Sequence, residues 1–471
     1  MPIQSATPGL SFVPGDVLSV METIHNAGFG VWVVGGALRD LLLGIEPKDW
    51  DLATSASTGE IISIFPRVVP VGIRHGTVQV HTRTRDIEVT SFEPPGEAGI
   101  LKDLGRRDFT INSLALSYPD GVLIDPNGGR EDLKAGLVRA VANPGARFSE
   151  DPLRIVRAAR ICAVYGLKTD DATFDAMRQR AGELESVSGE RVRDEILKIL
   201  LAGDTSAAFD LLKNIGALGK LLPGLRAHDR VETRKSTDVS IYEHTLCCVL
   251  NCPKRVRIRL VALFHIAAPP AAQTAGGARP VDFRGASALA ATQTMKTWNM
   301  SNRSIDEVSS LISHQLPPEA LSWSDVRIRR FITGVRPELL DDFLALAEAE
   351  ILCAKGPGPS DKTAAAEPGD SNEWVEHAGW SGRIEAKQSL IEGINQLGAR
   401  IRMQLERISA MSVRELALSG NDIMKVLDLP PGPQVGKVLN QLFEMVLEDP
   451  ELNTRESLAR IVEARFKPVS G

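Results

Sequence analysis

The sequence predicts an α/β domain near the N-terminus, a small mixed β-sheet with helices, followed by domains built from helices alone. Three observations carry this expectation. Between Val31 and Leu116, short β-branched runs alternate with helical segments and turn residues. From Glu150 onward the apolar residues recur mainly at helical spacing. At 471 residues the chain is too long for one core, so three or four domains are expected.

Composition narrows the class. Hydrophobic content of 43% and charged content of 24% are ordinary for a soluble protein, and no run of about 20 apolar residues offers a transmembrane helix, so no membrane partner is expected. The opening MPIQSATPGLSFVPGD has neither the basic start nor the apolar stretch of a signal peptide. The five cysteines, Cys162, Cys247, Cys248, Cys252 and Cys353, are odd in number and lack CxxC spacing, which fits a reduced, cytoplasmic protein. Cys247, Cys248 and Cys252 read as metal ligands or as buried, inert thiols, and no second cluster completes a zinc site. The net charge of −6 argues against a general nucleic-acid coat protein but leaves room for local basic stripes. Four are present: Arg154/Arg157/Arg160, Arg191/Arg193, Lys254/Arg255/Arg257/Arg259 and Arg327/Arg329/Arg330. Each also reads as a solvated helix face.

Residues 10–30 read as a helix leading into the strand Val31–Val34. That strand ends in Gly35-Gly36, and a short helix, Leu38–Leu43, carries Arg39 and Asp40 at its start. Gly44 and Pro47 break it, and Asp49-Trp50-Asp51 opens a second strand. Residues two apart on a strand share a face, so Asp49 and Asp51 are expected to point the same way. Two carboxylates that close repel each other unless a cation lies between them, and Mg²⁺ suits a few carboxylates plus substrate phosphates. The combination points to phosphoryl-transfer chemistry on a nucleotide. Gly59–Phe65 reads as a helix; Val68–Val71, Thr77–His81 and Ile87–Ser91 read as strands. Glu88 is a candidate third carboxylate at the metal site, or an exposed strand glutamate. The connection Glu93–Gly105 is short.

The stretch VWVVGGALRDLLLGIEPKDWDLAT resembles the signature of the nucleotidyltransferase superfamily, in the version of tRNA nucleotidyltransferases and bacterial poly(A) polymerases. RRDFTINSLAL, from Arg106, is similar to that family's second motif, and DPNGG with Asp132-Leu133 to its third. The resemblance implies a nucleotidyltransferase-fold head with all-α neck, body and tail. It implies that Asp49, Asp51 and Glu88 are catalytic, with Asp49 and Asp51 holding two Mg²⁺ ions. Gly35, Gly36 and Arg39 would embrace the triphosphate, and Arg107, Asp108 and Asn112 would contact sugar and phosphates. Arginine forks onto phosphate oxygens and asparagine hydrogen-bonds a ribose hydroxyl.

Glu150-Asp151-Pro152-Leu153-Arg154 begins a helix expected to run to Tyr165. By local spacing, Asp151 and Arg154 read as an intrahelical ion pair with a capping role. By resemblance they pair with the base edge of CTP or ATP, both of which carry an exocyclic amino group for the aspartate. Arg157 and Arg160 stand one and two turns further along, as candidates to reach the phosphates. Gly189–Leu201 is similar to a fifth motif, a helix supporting the base-selecting one. Residues 205–350 resemble a decayed HD-type segment: His244 matches its first histidine, but Phe264-His265-Ile266 lacks the aspartate and Gly285-Ala286-Ser287 replaces GHE. No phosphohydrolase activity is expected, and His244, His265 and His314 are expected as ordinary structural or surface histidines. Residues 267–280 read as an insertion. Gly432, Pro433 and Gly436 would open a tail helix that seats phosphate backbone.

The expected domains are 1–145 (head), 146–204 (neck), 205–354 (body), 355–375 (linker) and 376–471 (tail). The expected activity adds CMP, and AMP in the wider reading, from CTP and ATP to the tRNA 3′ end, gripping the acceptor/TΨC region. The family's flexible loop after the strand at Ile87–Phe92 is short here, as in CC-adding specialists. A second, A-adding enzyme would then act afterwards. Full CCA addition, A addition, poly(A) synthesis, a non-catalytic tRNA-binding protein and an HD phosphohydrolase are the alternatives.

Overall fold

The computed structural model describes residues 9–72, 76–226, 241–267, 283–354 and 384–466. The insertion expected at 267–280, from 268 on, and the linker expected at 355–375 lie outside them, save that the linker follows the last described residue of the body, Ala354. The chain forms two units, one up to Leu222 and one from Pro223. No helix among the described residues is long and apolar enough to cross a membrane.

The first unit opens with α1 (Gly15–Asn26), β1 (Val31–Val34), α2 (Gly36–Leu42), β2 (Asp51–Thr54), α3 (Thr58–Ile64), β3 (Val68–Gly72), β4 (Thr77–His81), β5 (Asp86–Ser91), α4 (Glu97–Leu104), β6 (Ala115–Tyr118) and β7 (Leu123–Ile124). The strands make one seven-stranded sheet in the order β3-β4-β5-β2-β1-β6-β7. The β2–β5 pair is parallel, and the other pairings are antiparallel, so the sheet is mixed as expected. β1 is central and covered on both faces, with Val31, Val33 and Val34 all buried, which explains its unbroken apolar run. Strand β1 ends at Val34, whose partner is Asp51. Ladder pairing therefore begins at Asp51, and Asp49 lies just ahead of the strand that it was expected to open.

The connection after Phe92 is more structured than its Pro94-Pro95-Gly96 start suggests. Only Glu93–Gly96 is irregular, and α4 follows. Ile100 and Leu104, one helical turn apart, are fully buried against Val34, Ala53, Phe92 and Ala115. Their burial contributes about 1.5–3 kcal/mol each, which outweighs the roughly 1 kcal/mol cost of Gly99 inside the helix.

The remainder of the unit is helical except for a small parallel pair. It comprises α5 (Gly129–Lys134), β8 (Leu137–Val138), α6 (Pro144–Glu150), α7 (Leu153–Tyr165), β9 (Lys168–Thr169), α8 (Asp171–Arg180), α9 (Gly189–Leu200), α10 (Thr205–Asn214) and α11 (Leu218–Leu221). Asp125 accepts from the backbone N–H groups of Gly129 and Arg130 and so caps α5. The helix expected from Glu150 is two helices. Glu150 ends α6, Asp151 is extended (φ −150, ψ 97), and α7 starts at Leu153. Pro152 is the cause, because a proline disfavours helical geometry in the residue before it.

The second unit contains α12 (Pro223–Arg226), α13 (Ile241–Asn251), α14 (Val256–Phe264), α15 (Phe283–Thr297), α16 (Asn302–Ser313), α17 (Asp325–Gly334), α18 (Leu340–Cys353), α19 (Ile384–Arg407), α20 (Gly420–Leu427), α21 (Pro433–Glu448) and α22 (Arg455–Phe466). Every residue of α14 from Ile258 to Phe264 is buried, so this helix is the axis of its bundle. The tail has a separate core that includes Ile423, Leu442, Leu458 and Val462. As the sequence implied, Gly432 and Pro433 open α21.

Two of the basic stripes are divided: Lys254, Arg255, Arg327 and Arg330 are exposed, as a solvated face would be, while Arg257, Arg259 and Arg329 are internal struts. Arg257 binds Asp342 at 2.6 Å and Glu307 at 3.1 Å, and the buried Arg259 donates to the Cys252 carbonyl. Arg329 is buried and donates to the Leu447 and Glu448 carbonyls at the C-terminus of α21 and to Gln404 of α19. Those carbonyls lack partners within their own helix, and the helix dipole favours a cation there. The expectation of reduced thiols throughout is also corrected. Cys247 and Cys353, 106 residues apart, form a disulfide with a Cα–Cα distance of 5.6 Å. Spacing hid this pair because α13 and α18 become neighbours only in the folded bundle. Cys162, Cys248 and Cys252 are buried free thiols.

Gly99 tests the docking of α4. A Cβ at this position would lie 1.7 Å from the Pro94 carbonyl oxygen and 2.6 Å from the Phe92 ring. Gly99→Ala gains about 1 kcal/mol of helix propensity, and the clash with backbone exceeds it. Urea denaturation is expected to show a net loss of about 1–3 kcal/mol. Unchanged or raised stability would show that α4 is not held against the sheet in this way.

Candidate active site

The site forms where β1 ends, beside the first residue of β2 and its parallel partner β5. Asp51 and Glu88 are direct partners across the parallel pair β2–β5, so both carboxylates rise from the same face of adjacent strands. Asp49 is exposed and Asp51 half-buried, with Trp50 between them buried in the opposite direction. Glu88 is exposed and opposite Asp51, so the third-carboxylate and exposed-glutamate readings describe one position. Burial pushes the Asp51 carboxyl up to about 6, the charge of Glu88 adds to the rise and Asp49 contributes, while Arg107 and Arg157 oppose it.

Gly35 is the spacer of this site. Its φ of +78 is left-handed, and a Cβ there would lie 2.8 Å from Arg107 Nη1 and 3.7 Å from Asp51 Oδ2. Any side chain would be strained and would wedge between the arginine and the aspartate. Arg107 is held in place by Asp103 on α4, at 3.1 Å from both Nε and Nη2. Gly36 begins α2 and packs beside Arg39.

Arg39 is bound inside the protein. It donates to Asn112 Oδ1 at 2.8 Å, pairs with Asp40 at 2.8 Å, bonds the Tyr165 hydroxyl, and lies 4.1 Å from the Tyr165 ring centroid. Asn112 in turn donates to Asp108 Oδ1 at 3.1 Å. Asp108 is buried, and that burial works against its charge. Arg157 at 3.1 Å, Asn112 and the Phe109 N–H overcome the penalty and hold its carboxyl below the usual range. The chain Tyr165–Arg39–Asn112–Asp108–Arg157 therefore runs from α7 through the second motif and back to α7.

Asp151 and Arg154 do not make the expected intrahelical pair, because the break at Pro152 takes Asp151 out of the helix. Asp151 Oδ2 binds Arg191 of α9 at 2.7 Å, and Oδ1 accepts from the Leu153 N–H at 3.2 Å. Arg154 donates to the Arg147 and Arg106 carbonyls and to Glu150, each at 3.1 Å. Three of its five N–H donors are used in this way, leaving two. Arg160 pairs with Glu195 of α9, so it braces two helices. Sequence reasoning missed Tyr165, Arg191 and Asp103. Asp103 is four residues from Arg107, a helical signal once α4 is recognised; in the sequence Arg191 reads as part of a basic stripe on a supporting helix, with no link to Asp151.

In the second unit His244 and His265, expected as separate structural histidines, converge with Cys248. His314 lies apart and bonds the Ser310 carbonyl.

Comparison with known proteins agrees with this layout. Residues 31–139 match the poly A polymerase head domain, 166–228 the probable RNA and SrmB-binding site of polymerase A, and 385–462 a putative tRNA nucleotidyltransferase domain 2. A CCA-adding enzyme of Lactococcus lactis subsp. lactis is 30% identical over 455 residues, covering 93% of this chain and 94% of its own. A CC-adding tRNA nucleotidyltransferase of Halalkalibacterium halodurans is 37% identical over 208 residues, 44% of this chain and 54% of its own. The crystal structure of a Bacillus stearothermophilus CCA-adding enzyme in complex with CTP shares the fold, with a TM-score of 0.67 at 24% identity over 96% of both chains. The fold and site define a nucleotidyltransferase. The chain belongs to the class II tRNA nucleotidyltransferase and poly(A) polymerase family, among its CCA- and CC-adding members.

The Asp51 environment predicts a pH effect of definite sign. Its folded value of about 6 lies above the ordinary carboxyl value of about 4, so the folded protein binds this proton more tightly than the unfolded chain. Stability is therefore lost as pH rises from about 4 to about 6, and the full penalty persists above that. In chelator-treated protein, Asp51→Asn is expected to be more stable than wild type by about 1–3 kcal/mol at pH 8, discounted for partial exposure. The gain should vanish near pH 4. Urea denaturation at both pH values reads this, and an equal gain at both contradicts it.

Proposed function

We propose that this enzyme extends the tRNA 3′ end with CMP from CTP, building CC, and that a second, A-adding enzyme completes the end. The observation that carries nucleotidyl transfer is the carboxylate face of Asp51 and Glu88, with Asp49 beside it and Arg107 and Arg157 opposing. Such a face suits Mg²⁺: it gathers acidic oxygens whose mutual repulsion, visible in the raised Asp51 value, a divalent cation relieves. Asp49 and Asp51 would hold the metal, with Glu88 as third carboxylate. Bound there, Mg²⁺ supplies activation of the 3′ hydroxyl and neutralisation of the triphosphate.

The chain's own residues do the remaining work. Arg107, beside the Gly35 gap, presents its guanidinium to phosphate oxygens. Gly35 and Gly36 let the triphosphate approach backbone. Arg39 acts through Asn112, orienting its amide toward the ribose. Asp151 retains lone pairs to accept from the exocyclic amino group of cytosine, and Arg154 retains two donors for ring and carbonyl acceptors. Arg157 and Arg160 set the position of α7 through Asp108 and Glu195. The tail, opened by Gly432-Pro433, grips the acceptor/TΨC region.

The CC reading is supported by the connection after β5. A device that reshapes the site between CTP and ATP needs freedom to move, and here only Glu93–Gly96 is irregular before the docked α4. Full CCA addition is the second reading, favoured by relatives that match along their whole length and are CCA-adding enzymes.

tRNA transcripts ending at the discriminator base, at C and at CC, incubated with Mg²⁺ and CTP, ATP or both, separate the readings. Growth that stops at CC, with no A joined to the CC-ended transcript, is expected. Growth to CCA would overturn the specialist reading alone, and no growth on any transcript would overturn nucleotidyl transfer to tRNA.

A further inference from the structure

The second unit holds a cluster that nucleotidyl transfer does not use. His244 and Cys248 are four residues apart on α13, hence on one helix face. His265 follows the end of α14, and Glu350 lies on α18. His244 Nε2 is 3.4 Å from Cys248 Sγ and 3.4 Å from His265 Nε2, and His265 Nε2 is 3.8 Å from Glu350 Oε1. One atom each from His244, Cys248 and His265 lie within 4.8 Å of one another. Cys248, His265 and Glu350 are buried.

We infer that His244, Cys248 and His265 form a Zn²⁺ site that ties α13 to the end of α14, with Glu350 of α18 beside His265. Zn–N bonds of about 2.05 Å and Zn–S bonds of about 2.3 Å place tetrahedral ligand atoms about 3.3–3.6 Å apart. The two 3.4 Å separations within the cluster match these edges, and Glu350 Oε1, 3.8 Å from His265 Nε2, lies outside the set of atoms mutually within 4.8 Å. The proton arrangement points the same way. His265 Nδ1 donates to the Ala262 carbonyl at 2.7 Å, so the neutral ring turns the lone pair of Nε2 toward the cluster. His244 bonds the Cys353 backbone, and its Nε2 is the atom facing Cys248 and His265. Such a backbone hydrogen bond from the far side of a ring is the usual support of a metal-bound histidine. A thiolate and two neutral imidazoles leave Zn²⁺ one positive charge, which the Glu350 carboxylate beside His265 offsets, with the Cys248 proton released to solvent on binding.

The surroundings hold the ligands in place. Cys247, next to Cys248, is disulfide-bonded to Cys353, three residues from Glu350. The donor set differs from that of an HD site: Ile266 occupies the aspartate position and a thiol enters.

The full chain, with its disulfide intact and metals removed by chelation, would be titrated with Zn²⁺ and, separately, with Co²⁺. One Zn²⁺ per chain is expected, and Co²⁺ should give the thiolate charge-transfer band and intense visible bands of a tetrahedral site. Cys248→Ala should abolish the thiolate band. Glu350→Gln, which keeps the side-chain shape, should weaken Zn²⁺ binding by about 10-fold or more. A large excess of Mg²⁺ should leave the spectrum unchanged. Absence of the thiolate band in the wild-type chain, its survival in Cys248→Ala, or its loss to Mg²⁺ would each overturn the assignment.

Discussion

The head domain depends on an unfavourable contact. Asp51 is half-buried, faces Glu88 across the parallel strand pair, and has Asp49 two residues away. Left alone, three acids this close would push the strands apart or take up a proton. The opposing positive charge comes from two directions: Arg107, fixed by Asp103 at the end of α4, and Arg157, from α7. Arg107 is tied to Asp103 and Arg157 to Asp108, so neither closes an ion pair on Asp51, and the acidic face stays available to a metal. Gly35 preserves the gap between Arg107 and Asp51.

The helix α7 turns that local balance into a framework. Its three arginines are each committed to a different partner: Arg154 to the end of α6, Arg157 to Asp108 of the second motif, and Arg160 to Glu195 of α9. Tyr165, at its C-terminal end, receives Arg39 from α2. Arg154, proposed with Asp151 to select the base, therefore sits on a helix whose position is set by residues proposed to surround the phosphates, and Asp151 lies just ahead of that helix. Exposed ion pairs contribute little to stability; here several are buried or half-buried and interlinked, so their effect is on position.

Much of this was legible from residue order. The strand run into Gly35-Gly36, the Asp49-Trp50-Asp51 alternation and the RRDFTIN string brought out residues that the fold gathers at the end of β1, because strand periodicity and turn residues are local signals. What was missed depends on distant partners. Asp151 pairs with Arg191, forty residues away, because Pro152 turns it out of the helix. Arg257 and Arg329 look like surface charges until α18 and α21 supply their acceptors. The α4 helix was hidden behind two prolines and a glycine, since its stability comes from Ile100 and Leu104 packing on the sheet. The Cys247–Cys353 bridge and the convergence of His244, Cys248 and His265 depend on helix neighbours that no spacing rule reveals.

The central claim is that the Asp49–Asp51–Glu88 face binds divalent metal together with nucleotide. Binding of Mn²⁺, as a spectroscopic substitute for Mg²⁺, to the full chain in the presence of CTP tests it most directly. Two ions per chain are predicted for the wild type at pH 8, with affinity falling as pH drops through about 6. Loss of both is predicted in Asp51→Asn. Mn²⁺ binding that is unchanged by that substitution would contradict the account.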